Sequence, residues 1–434
     1  MWNTQRTRFK RVITKLTTMT KNLPILHIDQ LKPGLFVHIP DTNWLDHPFL
    51  FNSFRLTSEK QIKTLLEMGI RSISYDPTRS TVAPLPLEVE SEPVPPSPTL
   101  SAEDAANILE KQERMALVLR HRNSLAQGEK DYRAAIGSTR SAIEGMLRDP
   151  VKARHEATQL VRKVASTFTG DGGITLTFIA MDRLDSPSFQ HATNVMILSL
   201  TLGKAAGLDK FQMESLGLGA MLHDIGKIKV APAVLHNGQR NPAEDKFYQM
   251  HVEYGADLLK QGAADEVLAC IRQHHERADG KGFPEKRALD QISILARIVA
   301  IANRYDNLCN PHRITEALTP AEALSRMFAK ETAAFDPRLL ALFIKQMGIY
   351  PPGSFVQLSN GAIGMVISVN AADSLKPGVM VYEPGVRRAE SLIVDLNNAS
   401  DVKIEFTLKP QTMDQDIVTH LNPRMRTAYY AEKQ

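Results

Sequence analysis

Cysteine is almost missing from this sequence, which has only Cys270 and Cys309 among its 434 residues. Neither cysteine belongs to a CxxC pair, so the sequence predicts no disulfide framework. A chain with so few thiols and no predicted disulfides is typical of a reducing compartment. We therefore expect a cytoplasmic protein.

Long apolar runs and a strong excess of one charge are missing as well. No uninterrupted apolar segment approaches the roughly 20 residues that span a membrane. The basic stretch from Arg6 to Lys21 lacks the apolar core of a signal peptide. The net charge of +4 is small for this length, which argues against a nucleic-acid polymer as partner but leaves room for a local phosphate site.

The length and an ordinary composition, with 43% hydrophobic and 23% charged residues, predict a soluble chain of two or three domains. Prolines mixed with Glu and Ser mark a linker. In chain order we expect a basic leader at 1–23 that starts at Met1 or Met19, a small α+β domain at 24–78, a Pro/Glu-rich linker at 79–100, connecting helices at 101–150, a helical domain at 151–350, a small β domain at 351–410 and a tail at 411–434.

The apolar pattern separates the two larger domains. From about 151 to 348 nearly every long segment has a 3.6-residue period, which predicts an all-helical unit. From 353 the period becomes 2, and Asn360-Gly361 is a hairpin signal. Residues 101–149 predict two helices, which are suited to relaying a signal, to dimerisation or to simple packing.

Histidines and one aspartate form the chemical centre of the helical domain. His223 and Asp224 end an apolar helix, and Gly226-Lys227 then turns the chain. Imidazole and carboxylate together suit borderline divalent ions. Further histidines follow on the helices of the same domain, and a helical bundle builds metal sites from facing helices. We therefore predict a metal site from His191, His223, Asp224, His251, His274 and His275.

A second motif, HHERADGKGFP, begins at His274. Its glycines predict a structured loop, and we expect Gly282 to let the backbone approach a ligand. Arg277 and Lys281 offer positive charge, and Phe283 offers a face on which a base could stack. The loop is thus a candidate substrate-binding element.

With HDIGK and HHERADGKGFP both present, the region from about 160 to 310 resembles an HD-GYP domain, a bacterial subgroup of the HD phosphohydrolases. Residues 24–78 resemble the domain of unknown function that often precedes it. The resemblance implies hydrolysis of cyclic di-GMP to pGpG, and further to GMP, at a centre of two divalent ions, with Fe or Mn favoured over Zn or Ni. It implies that Asp224 bridges the ions, that Lys227 contacts the scissile phosphate, and that partners include GGDEF-type or other signalling proteins or a second copy of the chain.

The sequence departs from the family pattern in four places. Asn303 occupies the place of a metal-binding aspartate and would bind one ion more weakly, and Asp306, one turn later, is not expected to replace it. Asp185 is the only carboxylate near the position of a third-metal ligand, so we expect two ions at most. Phe283 replaces the family tyrosine, and Arg313 is the arginine we retain as a phosphate contact in an altered basic stretch.

These departures leave two alternatives open beside the phosphodiesterase. The chain could be a catalytically weakened receptor for cyclic di-GMP or a protein-interaction module. It could also be an HD hydrolase of another phosphoester, although the glycine-rich loop weighs against that.

Overall fold

The computed structural model describes residues 23–39, 49, 53–86, 102–168, 170, 174–179, 187–370, 375–397, 399, 402–423 and 426–433. Within the long helix described below, the side chains of 102–118 and 121 are outside this description. Nearly all of the predicted leader, most of the predicted linker and Asp185 also lie outside the described residues. The predicted fold class is confirmed: a helical HD-type unit follows a small α+β region and carries a β sheet on its C-terminal side.

The N-terminal region is a four-stranded antiparallel sheet in the order β1-β4-β2-β3. Its helix, α1 (Glu59–Glu67), buries Leu65 among the apolar side chains of that sheet. The strands are β1 (Ile25–His27), β2 (Phe36–His38), β3 (Ser53–Arg55) and β4 (Ser72–Tyr75).

A single helix, α2 (Ala102–Gly145), of 44 residues occupies the segment for which two helices were predicted. Gly128 lies in its interior, where a Cβ would come within 2.9 Å of Tyr430 Cδ1. A glycine in a helix costs about 1 kcal/mol of propensity, but here it makes room for an aromatic ring from the far end of the chain. The prediction of two helices was wrong because local propensity does not register such long-range packing.

The helical domain packs around side chains such as Leu198, Leu216, Ile271 and Ile298, which are fully buried. Helix α5 (Lys210–Leu222) runs through this core and contacts both α4 (Pro187–Ala205) and α9 (Asp265–Gln273). Its end therefore delivers His223 and Asp224 into the interior. The helices are α3 (Pro150–Thr167), α4 (Pro187–Ala205), α5 (Lys210–Leu222), α6 (Pro232–Leu235), α7 (Pro242–Gln249), α8 (His251–Leu259), α9 (Asp265–Gln273), α10 (Ile294–Cys309), α11 (Pro320–Lys330) and α12 (Pro337–Met347).

A seven-stranded antiparallel sheet packs against the helices, in the order β10-β6-β7-β5-β11, with β8 and β9 extending from β7. Side chains of β11 and β5, including Tyr429 and Leu176, belong to the same apolar core as the helices. The strands are β5 (Ile174–Phe178), β6 (Phe355–Leu358), β7 (Ile363–Asn370), β8 (Gly378–Val381), β9 (Ile393–Asp395), β10 (Ile404–Leu408) and β11 (Tyr429–Lys433).

Two strands of this sheet correct the sequence prediction. β5 interrupts the segment that was predicted to be entirely helical, and β11 lies in the segment that was predicted to be a tail, together with helix α13 (Gln415–Leu421). The two strands pair with each other, Ile174 opposite Lys433. Local periodicity could not show this because the partners are some 250 residues apart in sequence.

Across the part of the chain that the structure describes, no helix combines the length and the apolar character needed to cross a bilayer.

Candidate metal centre

The six predicted histidine and aspartate ligands come from four different helices and converge on Asp224. The turn after α5 places Asp224 in the interior, and the other helices bring imidazoles to it. His191 comes from α4, His223 from the end of α5, His251 from the start of α8, and His274 and His275 from the end of α9.

Each oxygen of Asp224 faces its own pair of imidazoles. Asp224 Oδ2 lies 3.4 Å from His223 Nε2 and 3.9 Å from His191 Nε2. Asp224 Oδ1 lies 3.5 Å from His251 Nε2 and 3.7 Å from His274 Nε2. The ligand atoms therefore fall into two groups, each within 4.8 Å, which share one carboxylate: His191, His223 and Asp224 in the first, and Asp224, His251, His274 and His275 in the second.

Several of these polar atoms are buried without any hydrogen bond to the protein. The buried atoms that have no hydrogen-bond partner among the described residues include Nε2 of His223, His251, His274 and His275, and Oδ1 of Asp224. Buried polar atoms are normally satisfied, because each one left alone costs about 1–3 kcal/mol. A set of such atoms converging on one carboxylate has the donor chemistry of a metal site.

The opposite edges of three imidazoles are held by backbone carbonyls. The Nδ1 atoms of His223, His251 and His274 lie 2.8, 2.7 and 2.8 Å from the carbonyl oxygens of Ala220, Tyr248 and Ile271 respectively. A carbonyl can only accept, so Nδ1 carries the proton in each ring. The lone pair of Nε2 is then free to bind a cation.

The charge state of the cluster also suits a cation. Burial lowers the pKa of His274 to about 3, and burial together with His274 places the pKa of His275 well below its usual value. Both rings are therefore neutral, which metal binding requires. Burial alone would raise the pKa of Asp224, but the Lys227 ammonium, together with the adjacent His223 and His274 rings, outweighs it and holds that pKa well below its usual value.

Two family models match the chain. One, described as a domain of unknown function (DUF3391), matches residues 25–162, and the other, described as an HD domain, matches residues 177–339. The chain carries an HD domain. The six clustered candidate ligands all lie within the second match, and the pair of domains confirms the resemblance to HD-GYP proteins. The first match continues through α2 into α3, beyond the 24–78 we expected.

Three relatives of assigned activity are similar to the chain. Cyclic di-GMP phosphodiesterase PA4108 from Pseudomonas aeruginosa is 29% identical over 84% of this chain and 85% of that protein. The response regulator RpfG from Xanthomonas campestris, a cyclic di-GMP phosphodiesterase, is 34% identical over 32% of this chain and 38% of its own length. The 3'3'-cGAMP-specific phosphodiesterase 2 from Vibrio cholerae is 29% identical over 36% of this chain and 30% of its own length.

The turn after the HD pair depends on Gly226. A Cβ at that position would lie 1.9 Å from the carbonyl oxygen of His251 and 2.4 Å from the nitrogen of Gly255. The turn therefore packs directly on the backbone of α8, which brings His251 to Asp224. Lys227 follows, with Nζ 2.5 Å from Asp224 Oδ2 and 5.6 Å from the centroid of the Tyr248 ring.

Within the glycine-rich loop of the HD domain, Gly282 has a packing role that was not predicted. A Cβ there would lie 2.5 Å from His275 O, from Glu276 Cα and from Arg277 N. The glycine thus allows the loop to fold back on its own backbone. The Glu276 carboxylate, whose role was not predicted, closes the loop. It accepts hydrogen bonds from the backbone nitrogens of Glu285 at 2.7 Å and Arg287 at 2.9 Å.

Phe283 is packed on a candidate ligand. Its ring stacks on His275 with centroids 4.5 Å apart and an angle of 22° between the planes. One face of the ring is therefore used by the protein, and the side chain remains only partly exposed. Phe283 supports the imidazole whatever it contributes to a substrate.

The other three basic residues predicted to bind substrate have exposed side chains. Arg277 forms two hydrogen bonds with Asp279, at 2.9 and 2.7 Å, and Lys281 is exposed in the same loop. Arg313 lies after α10, is 74% exposed and pairs with Glu316 at 3.4 Å. The hydrogen bonds and ion pairs of the Arg277 and Arg313 side chains are therefore with neighbours in sequence.

Helix α10 of the HD domain carries Asn303 and Asp306. Asn303 is nearly buried, and its side-chain oxygen accepts from Asn307 Nδ2 at 2.6 Å. Asp306 is fully buried, and its Oδ2 lies 2.6 Å from His191 Nδ1. Asp306, which we had considered only as a replacement ligand, thus contacts the far side of a candidate ligand.

Proposed function

We propose that this chain is a metal-dependent phosphodiesterase that hydrolyses cyclic di-GMP to pGpG, and pGpG to GMP, in bacterial second-messenger signalling. The observation that carries the proposal is the set of imidazole nitrogens without protein partners around the two oxygens of Asp224. The glycine-rich loop stacked on His275 and the activities named for the relatives support the same class of substrate.

We assign the ligands to two ions. His191 and His223 would hold the first, His251, His274 and His275 would hold the second, and Asp224 would bridge them. Asn303 would complete the first site with a neutral amide oxygen. Mixed imidazole and carboxylate ligands favour Fe or Mn, with Zn or Ni as alternatives.

Bound divalent ions would supply a nucleophilic water at neutral pH and would neutralise the charge of the phosphodiester. Lys227 would contribute a cation where negative charge develops on the scissile phosphate. Its Nζ lies 2.5 Å from Asp224 Oδ2, an oxygen of the carboxylate that would bridge the ions. The protein would orient the phosphate and need not provide a nucleophile.

We assign recognition of the remainder of the substrate to the loop and to α10's C-terminal side. Arg277 and Lys281 would attract phosphate, Gly282 would shape the loop, and the outer face of Phe283 would meet a base. Arg313 would reach a phosphate after leaving Glu316. Partner proteins of the GGDEF type, and a homodimer formed through α2, remain predictions.

A receptor function is the second candidate, and Asn303 favours it. An amide adds no charge to the first site, and its oxygen already accepts a hydrogen bond from Asn307. Weak occupancy of the first ion would reduce turnover and leave cyclic di-GMP bound. Hydrolysis of another phosphoester is the third candidate, and a relative named for 3'3'-cGAMP makes that dinucleotide worth testing.

The test is a turnover assay on purified chain loaded in turn with Fe²⁺, Mn²⁺, Zn²⁺ and Ni²⁺. Cyclic di-GMP, 3'3'-cGAMP and pGpG are each supplied, and the products are separated by chromatography. We expect pGpG from cyclic di-GMP, and no product from His223→Ala. Intact cyclic di-GMP in every wild-type sample would contradict the proposal, and tight binding without turnover would support the receptor instead.

A further inference from the structure

His191 is held differently from three of the other imidazoles in the cluster. In those three rings, Nδ1 faces a backbone carbonyl of the preceding turn. The position of that carbonyl is fixed by the chain next to the ring. His191 Nδ1 instead faces the carboxylate of Asp306, on another helix, at 2.6 Å. The orientation of His191 therefore depends on what holds Asp306.

Two amide side chains donate hydrogen bonds to the other carboxylate oxygen of Asp306. Oδ1 accepts from Asn194 Nδ2 at 2.7 Å and from Asn310 Nδ2 at 2.8 Å. Asp306 and Asn194 are both fully buried. A buried carboxylate with several fixed donors has a defined position and keeps its charge available to the imidazole.

Both amides are tied in turn to Thr427, two residues before the final strand. Its carbonyl oxygen accepts from Asn194 and from Asn310, each at 2.9 Å, and from Gln190 at 3.1 Å. Its backbone nitrogen donates to Asn310 Oδ1 at 2.9 Å. The C-terminal segment is therefore part of the support of His191.

The same network reaches the long helix. The hydroxyl of Tyr132, on α2, donates to Asn194 Oδ1 at 2.7 Å, and the Tyr132 side chain is buried. A continuous path of side chains thus runs from α2 through Asn194 and Asp306 to His191.

We propose that Asp306 is a positioning residue for His191, and that Asn194 and Asn310 couple it to the C-terminal segment and to α2. The carboxylate keeps the proton of His191 on Nδ1, turns Nε2 toward the first ion and makes the ring a stronger ligand. The affinity of the first ion is thereby set in part by Tyr132 and Thr427, neither of which is assigned as a ligand. This inference rests on the metal assignment in the proposed function.

The test measures metal affinity, so it does not depend on turnover. Metal-free wild type and Asp306→Asn are titrated with Mn²⁺, and the ions bound per chain are counted. We expect the affinity for one ion to fall about 10–100-fold, the range for partners of this kind, while the other ion binds as in wild type. Unchanged affinity for both ions would overturn the proposal.

Asp336→Asn is the matched control. Asp336 is another nearly buried carboxylate, which caps α12 and pairs with Arg297 at 3.1 Å, away from the cluster. Its substitution should lower thermal stability without changing metal affinity. Loss of an ion in this control as well would mean that Asp306→Asn acts through general destabilisation, and would overturn the positioning role.

Tyr132→Phe tests the path to α2 with little risk to the fold, because it removes one hydroxyl and keeps the ring. We expect the variant to bind the first ion several-fold more weakly than wild type does. An unchanged affinity would overturn the coupling to α2. If the affinities change as expected while no variant or wild type hydrolyses any substrate offered, the positioning role stands and the proposed activity fails.

Discussion

The ring of Phe283 lies flat against the imidazole of His275, with 4.5 Å between the ring centroids. A residue predicted from sequence to face a nucleobase is thus a neighbour of a candidate metal ligand. Substitutions at Phe283 should therefore alter metal binding as well as substrate binding, and the two effects can be separated.

Phe283→Ala should weaken binding of the second ion by about 2- to 10-fold. The reason is the lost stacking on His275, which is worth about 0.5–1.5 kcal/mol beyond the buried area. Phe283→Tyr keeps the stacked ring and serves as the control. Mn²⁺ titration of the three proteins checks this, and equal affinities would show that the stacking does not support the ligand.

Asn303→Asp should tighten binding of the first ion by about tenfold, or about 1.4 kcal/mol, and raise turnover. A carboxylate adds charge where the amide adds none, and the donor Asn307 can still orient it. Asn307→Asp makes the same change one turn later at an exposed position, where neither quantity should rise. If Asn303→Asp raises neither metal content nor rate, position 303 is not a ligand.

Lys227→Met should lower kcat by about 100-fold or more at saturating metal, since one preorganised donor to a developing charge is worth about that much. The metal content should stay near that of wild type. Lys229→Met is the control, because Lys229 is exposed in the same turn and lies 5.9 Å from the Tyr254 ring centroid rather than beside Asp224. Comparable losses in both variants would remove the specific role of Lys227.

Gly226→Ala should destabilise the domain by about 3 kcal/mol, as overpacking does. The new methyl group would meet the His251 carbonyl at 1.9 Å and would push α8 away from Asp224. Gly137→Ala, in α2 with nothing within 4 Å of the new Cβ, should instead stabilise by about 1 kcal/mol. Thermal unfolding of metal-free protein measures both, and a neutral Gly226→Ala would contradict the close packing.

Residues that neighbour each other in sequence were the easiest to predict. The pairs His223-Asp224 and His274-His275 end apolar helices, so adjacency alone places each pair at one point of the interior. Lys227 follows from the turn after the first pair. The α+β region and the helical period were predictable for the same reason, because both are local patterns.

Other features left little local signal. Asn194, Asn310 and Thr427 are ordinary polar residues in sequence, and only their hydrogen bonds to or near Asp306 set them apart. Glu276 stood inside a recognised motif, yet its role in closing the loop depends on nitrogens 9 and 11 residues later. Gly282 was predicted to let the backbone approach a ligand, and its close packing against the loop's own backbone was not predicted.

Local sequence motifs were enough to identify the donor residues of the candidate centre, because histidine and aspartate side chains suit borderline divalent ions. How these donor residues are supported depends on the tertiary structure. β5 and β11 pair across the chain, α2 stays helical through Gly128, and Asp306 holds His191 from behind. These are contacts between residues far apart in sequence, and their energies depend on packing and burial that no local pattern records.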